Sequence, residues 1–325
     1  MSVIPGNWDM EPPLNINDGQ IWPGMTEKPE ERKGATEMIF CLARSTVGNY
    51  FLRIGMLMQR AGGDTEQSQA LDQDIEMLIN EAETEVEEKY IRYCDVTDPL
   101  HFLTVASARS AITAMRLRSR LAKSKNQSIT DSDKKEMFHL SQKIMDTDAA
   151  AYAHTSLSQY MWHVKSFFVW GSWDSLVFVL TTLRNSDLLS LDETTAAWKR
   201  VEQMHINHHE LLESNQALHV ALRRLTLSAW DHNPQSKTSS EPAFITTLRL
   251  KVTSSIRGKS KSSLLNTAAE GVALPDLFSP SRESHVFNNV GDDIELGQSD
   301  AFDIDTADWE FWDRLIKSYQ PPVDP

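Results

Sequence analysis

The chain has 325 residues, with 32 Lys and Arg against 46 Asp and Glu, a formal net charge of −14 and two cysteines. Two cysteines exclude a disulfide framework and any cysteine-built zinc cluster. The acidic balance is the reverse of the basic footprint that a nucleic-acid-binding domain carries. Gly and Pro number thirteen each, together about 8% against an average near 12%, so helices are seldom punctuated and the expected fold class is all-α. Hydrophobic residues make up 40%, including nine Trp and twelve Phe. That is enough for a core in one large or two small domains.

Residues 1–33 read as an extended lead-in, because Pro5, Pro12, Pro13, Pro23 and Pro29 each bias the preceding residue away from helix. From residue 34 the pattern becomes helical through residue 232, with six to eight packed helices in an irregular bundle. Thr36 is an expected N-cap, and Ile39, Ala43, Val47, Phe51, Ile54 and Met58 follow at spacings of three and four. Leu71, Ile75, Leu78, Ala82 and Val86 form a second stripe under a solvated face of Glu81, Glu83, Glu85, Glu87 and Glu88. Asp98-Pro99 opens a third helix, since Pro at the first helical position loses no bond. A break at 123–132 precedes a long helix through His154. Tyr160 to Trp170 and Trp173 to Leu183 follow, with Gly171 as a bend. Stretches from Thr194 to Glu213 and from Asn215 to His232 complete the set.

Residues 233–300 read as a mostly disordered linker, apart from a helical or extended patch at Phe244 to Val252. Its basic cluster (Lys251, Arg257, Lys259, Lys261) reads as solvated linker or as a nuclear-import patch. Residues 301–325 are expected to include an acidic, aromatic helix. Asp292 to Asp313 holds nine acidic residues and no Lys or Arg, with Phe302, Trp309, Phe311 and Trp312 among them. That composition fits an activation segment for coactivator grooves, or a helix docking on the bundle. No secretory or membrane segment is expected. The N-terminus has no basic region before an apolar run, and the most apolar window, Met161 to Leu180, contains His163, Lys165 and Asp174. The expectation is a soluble, intracellular protein.

Three features could carry chemistry. His205 and His209, with His208 and Glu210 beside them, would share one helix face at i, i+4, a spacing that can present two imidazoles to a metal. No third ligand is apparent, and no cofactor is expected. Trp162, His163, Phe167, Trp170 and Trp173 form an aromatic cluster that reads as core or as a pocket for a small hydrophobic effector. Cys41 and Cys94 read as small core fillers. No phosphate loop, dinucleotide fingerprint or nucleophile elbow is present, so no catalytic residues are assigned and an enzyme is not expected.

Several strings resemble the fungal-specific transcription factor domain, the middle homology region of zinc binuclear cluster regulators. They are Pro13-Leu-Asn-Ile-Asn-Asp18, Pro23 to Pro29, Gly34-Ala-Thr-Glu-Met-Ile-Phe-Cys-Leu-Ala-Arg44, and Tyr90 to Asp95 with Pro99 to Phe102. Trp162-His-Val through Trp170, Leu218 to Trp230 and Asp308-Trp-Glu-Phe-Trp-Asp-Arg-Leu-Ile316 extend the match. The resemblance covers the second half of that region. It implies an all-α fold, a nuclear location and regulation of a secondary-metabolite gene cluster. The family's six-cysteine DNA-reading module is missing from these residues, so the resemblance implies action through other transcriptional proteins or self-association, without direct DNA binding. A repurposed helical protein that binds or transforms a hydrophobic metabolite is the alternative. A half-domain should also leave apolar helix faces uncovered.

Overall fold

The computed structural model describes residues 13–60, 65–126, 129–167, 172–184, 188–214, 216–233 and 240–252. The fold is all-α, with no strand among the described residues. The helices are α1 (Ile39–Arg60), α2 (Thr65–Lys89), α3 (Pro99–Asn126), α4 (Asp131–Ala153), α5 (Met161–Phe167), α6 (Trp173–Arg184), α7 (Leu191–Asn207), α8 (Glu210–Glu213), α9 (Ala217–His232) and α10 (243–252). They fall into two compact units, one within Met1–His208 and one within His209–Pro321.

In the first unit the lead-in is tied down by side chains. Asn15 Nδ2 donates to the carbonyls of Arg32 (2.6 Å) and Gly34 (3.0 Å), and its Oδ1 accepts from Thr36 Oγ1 at 2.6 Å. Trp22-Pro23-Gly24-Met25 closes a turn, with Met25 N donating to Trp22 O and Gly24 at φ 85°. Only glycine takes that angle without strain. Thr36 Oγ1 accepts from Met38 N at 3.2 Å, in line with its expected role at the start of α1.

The inner face of α1 is buried at Ile39, Ala43, Val47, Tyr50 and Ile54, and the last three pack with Ile75, Ile79, Ala82 and Val86 of α2 and Ala108, Ile112 and Met115 of α3. Burying each large aliphatic chain stabilises the fold by about 1.5–3 kcal/mol. Part of the acidic face of α2 is paired. Arg109, Arg116 and Lys123, spaced by seven along α3, meet Glu87 (3.1 Å), Glu83 (2.6 Å) and Asp72 (3.3 Å) in antiparallel order. Exposed pairs contribute about 0–1 kcal/mol each, so the ladder fixes register more than stability. Cys41 lies on the outer face of α1 and is exposed, which corrects the expectation of a core filler. The apolar stripe of α1 faces α2 and α3, and position 41 falls outside that stripe. Cys94 is half-buried, its thiol pushed up to about 11 chiefly by burial.

Helices α3, α4 and α7 start at side-chain caps. Asp98 Oδ1 accepts from Leu100 N (2.8 Å) and His101 N (3.1 Å) ahead of Pro99 in α3. Thr130/Asp133 and Ser190/Glu193 form reciprocal capping boxes for α4 and α7. Helix α4 packs against α3, α6 and α7. Its buried stripe is Met137, Phe138, Ser141, Ile144, Met145, Asp148 and Ala151. Nearly every residue of α6 is buried, including Leu176, Val179, Leu180 and Leu183.

In the second unit α8 packs on α9. Arg223 of α9, 3% exposed, donates Nη1 to the carbonyls of Leu211, Leu212 and Ser214 at 2.8–3.1 Å. These are the carbonyls that the short α8 leaves unpaired at its end. Arg249 of α10 bridges Asp231 and Glu241. The tail residues Phe302, Trp309, Phe311 and Trp312 lie outside the described residues, as does everything from 253 onward.

Candidate functional site

The site is built around His163, where α5 meets α1 and α3 in the first unit. Its imidazole is 5% exposed. The Phe40 ring stands edge-on at 4.9 Å and the Trp162 ring at 5.6 Å. Arg44 Nη1 lies 3.5 Å from Nδ1 and Ser107 Oγ lies 3.5 Å from Nε2. A guanidinium can only donate, so Nδ1 accepts and Nε2 carries the proton towards Ser107. Both distances sit at the outer limit of a hydrogen bond. Burial and then the Arg44 charge hold the imidazole below its usual range, which favours the neutral ring. Leu103, Ala151, Leu157 and Val164 form the apolar bed, with Phe102, Tyr152, Tyr160 and Met161 packed on it.

An open recess of about 350 Å³ lies at the start of α3, lined by Thr36, Glu37, Asp98, His101, Gln159 and Tyr160 among others. Glu37 Oε2 accepts from Asp18 N at 2.6 Å, and His101 Nδ1 accepts from Asp95 N at 3.0 Å. The lead-in, α1, α3 and the turn before α5 thus converge here. Chemically the His163 arrangement can offer one weak donor and one acceptor between aromatic rings. A proton-transfer role needs a substrate atom within about 3 Å of the imidazole, and the residue is 5% exposed.

The expected aromatic pocket divides by environment. Trp162 is 67% exposed, whereas His163 and Trp173 are each 5% exposed. Trp173 opens α6, and the side chain of Phe167 and all of Trp170 lie outside the described residues. The expected histidine pair is not formed on one helix. Helix α7 ends at Asn207, and His208 takes φ −115°, ψ 78°. His205 is buried and its Nδ1–H donates to Val201 O at 2.9 Å, whereas His209 is exposed beyond the helix end. Among the described residues no group of three or more His, Cys, Asp or Glu side chains could hold a metal ion.

A second polar cluster joins His208 to Asp148, Asn207 and Tyr152, three residues that the sequence did not single out. His208 Nε2–H donates to both oxygens of Asp148 at 3.0 and 3.1 Å, with side chains 0% and 1% exposed. Asn207 Nδ2 donates to Asp148 Oδ2 at 3.3 Å, and Tyr152 Oη lies 3.4 Å from His208 Nδ1. The signal was present in the spacing, because Asp148 continues the three-and-four stripe of Ile144, Met145 and Ala151. An acid on a buried stripe needs a partner, and the His208 that supplies it is sixty residues away.

No family model matches the chain, and no solved structure matches it. It is 24% identical over 95% of its length to the aurofusarin cluster transcription factor aurR2 of Gibberella zeae, of which it covers 48%. It is 21% identical over 69% of its length to the transcriptional regulator AacuB of Aspergillus aculeatus, covering 30% of that protein. It is 25% identical over 71% of its length to the pyriculol/pyriculariol biosynthesis cluster transcription factor 1 of Pyricularia oryzae, covering 31%. No described helix is long and apolar enough to cross a membrane. The chain is thus similar, over most of its length, to part of fungal cluster transcription factors, and spans about half or less of each.

Proposed function

We propose that this stretch is the regulatory, partner-binding body of a fungal cluster regulator, acting in the nucleus on transcription of a secondary-metabolite gene cluster. The observation that carries the reading is the alignment of 95% of the chain with a cluster transcription factor. The acidic balance and the two cysteines support a role in which these residues do not themselves read DNA. Six cysteines are needed to build the zinc binuclear module and these residues hold two, so the part we assign to them is contact with other transcriptional proteins or a second copy. No catalytic role is assigned to any side chain. Fused to a heterologous DNA-binding domain in a filamentous fungus, the 325 residues are expected to change a reporter with matching upstream sites at least fivefold. A reporter indifferent to the fusion, at verified nuclear expression, would refute the proposal.

A second reading gives the His163 region a small hydrophobic effector. What favours it is the neutral imidazole held between the Phe40 and Trp162 rings. Tryptophan fluorescence of the chain should change on adding a cognate cluster metabolite and lose that response in His163→Ala. No response to any such metabolite would sink this reading.

A further inference from the structure

The outer face of α1 has a chemistry of its own. Its inner face is buried, but Cys41 and Ser45 are exposed, and Leu52 and Met56 are 44% and 40% exposed. A Cβ added at Gly48 or Gly55 would meet nothing within 4 Å. From residue 41 to residue 56 this face runs about 22 Å at 1.5 Å per residue. Leu52 and Met56 give it apolar surface, Cys41 and Ser45 are small, and Gly48 and Gly55 leave two gaps. Arg44, which also reaches His163, flanks it on one side, and Arg53, over the Tyr50 ring, on the other. Helix α1 has three arginines and no Asp or Glu anywhere along its 22 residues.

Size and charge together select an occupant. Gaps at glycines separated by seven residues accept bulky side chains from a helix laid alongside, at the spacing that two-turn periodicity supplies. The cationic margins attract carboxylates and repel a second α1, which would bring arginine against arginine. We propose that the outer face of α1, from Cys41 to Met56 between Arg44 and Arg53, is a docking groove for an acidic amphipathic helix of a partner protein that carries large apolar side chains. The inference rests on the partner-binding reading above and adds to it the surface and the chemistry of the partner.

The test uses the full chain and three labelled 21-residue peptides. One has Trp and Leu at i, i+3, i+4 and i+7 with Glu on its flanks. The second replaces every Glu by Lys, and the third replaces every Trp and Leu by Ala. The first is expected to bind at least tenfold more tightly than either control, by fluorescence anisotropy at low salt. It should also slow alkylation of Cys41 at least fivefold, with half-buried Cys94 as the internal reference. Gly48→Leu fills one gap without a clash, so its circular dichroism spectrum should be retained while peptide binding falls at least tenfold. Arg53→Glu should weaken the Glu peptide and strengthen the Lys peptide. Equal binding of all three peptides, or unchanged binding to Gly48→Leu, overturns the proposal. Slow alkylation of Cys41 in the peptide-free chain also overturns it. If that protection grows with protein concentration the face belongs to a second copy, and if it does not the face is already covered within the chain. These outcomes are independent of the reporter, so peptide binding without reporter activity would overturn only the transcription reading.

Discussion

Replacing Asp148 by Ala is the sharpest perturbation of the first unit. The carboxylate sits on the buried stripe of α4, with its side chain 1% exposed, and accepts from His208 Nε2–H at 3.0 and 3.1 Å and from Asn207 Nδ2 at 3.3 Å. Removing it leaves a buried imidazole N–H without an acceptor, which costs about 1–3 kcal/mol. That range is the expected loss in urea unfolding followed by circular dichroism. The exposed Asp146, paired with Arg200 at 2.7 Å, is the control, and Asp146→Ala should cost less than about 1 kcal/mol. A cycle with His208→Ala should show a coupling of at least about 1 kcal/mol. A loss below about 1 kcal/mol for Asp148→Ala, or strictly additive losses, would show that the cluster does not hold α7 to α4.

Acidification provides a second check. Burial, then Arg44, lowers the pKa of His163; burial also lowers that of His219, partly opposed by Glu210, with Arg223 lowering it further. Depressed imidazoles bind fewer protons folded than unfolded. Their stability contribution is therefore complete above the ordinary value of about 6.5 and lost as pH falls towards the lowered folded values. The Tm should decline from pH 7 to pH 5 with a shallower slope in His163→Gln, and an identical slope in that variant would refute the assignment. Thr130→Ala removes one half of the α4 capping box and should cost about 1 kcal/mol in the same urea assay, with no effect counting against the cap. Gly34 has φ 104°, and an added Cβ meets only Tyr93 at 3.7 Å. Gly34→Ala should therefore lose about 1–2 kcal/mol from backbone strain alone, and a neutral result would show that the lead-in readjusts.

The parts of this fold written in local chemistry were readable in advance. The low Gly and Pro content, the three-and-four stripes of α1 to α3 and the Pro99 start gave the helical body and its register. What escaped depended on distant partners. Nothing between Thr194 and Glu213 is a helix breaker, yet the chain leaves α7 at His208, whose imidazole is bound to Asp148. The shared face expected for His205 and His209 vanished with that break. Cys41 looked buried because its neighbours Ile39, Phe40, Leu42 and Ala43 are apolar, but its own angular position points away from α2 and α3. Asp148 and Arg223 were hidden for a related reason. A polar residue on an apolar stripe shows that a partner is required, without showing which residue supplies it. At the His163 site the aromatic composition was legible, whereas the contribution of Phe40, Arg44 and Ser107 from two other helices was not.

Regulation of a gene cluster through partner proteins is the function proposed above for this chain. Transcript profiling of the source organism, with the coding sequence deleted and then restored, is the measurement that bears on it. Transcripts of one contiguous biosynthetic cluster are expected to change at least tenfold on deletion and to return on restoration. Unchanged transcripts across every cluster, under conditions where the clusters are expressed, would contradict it.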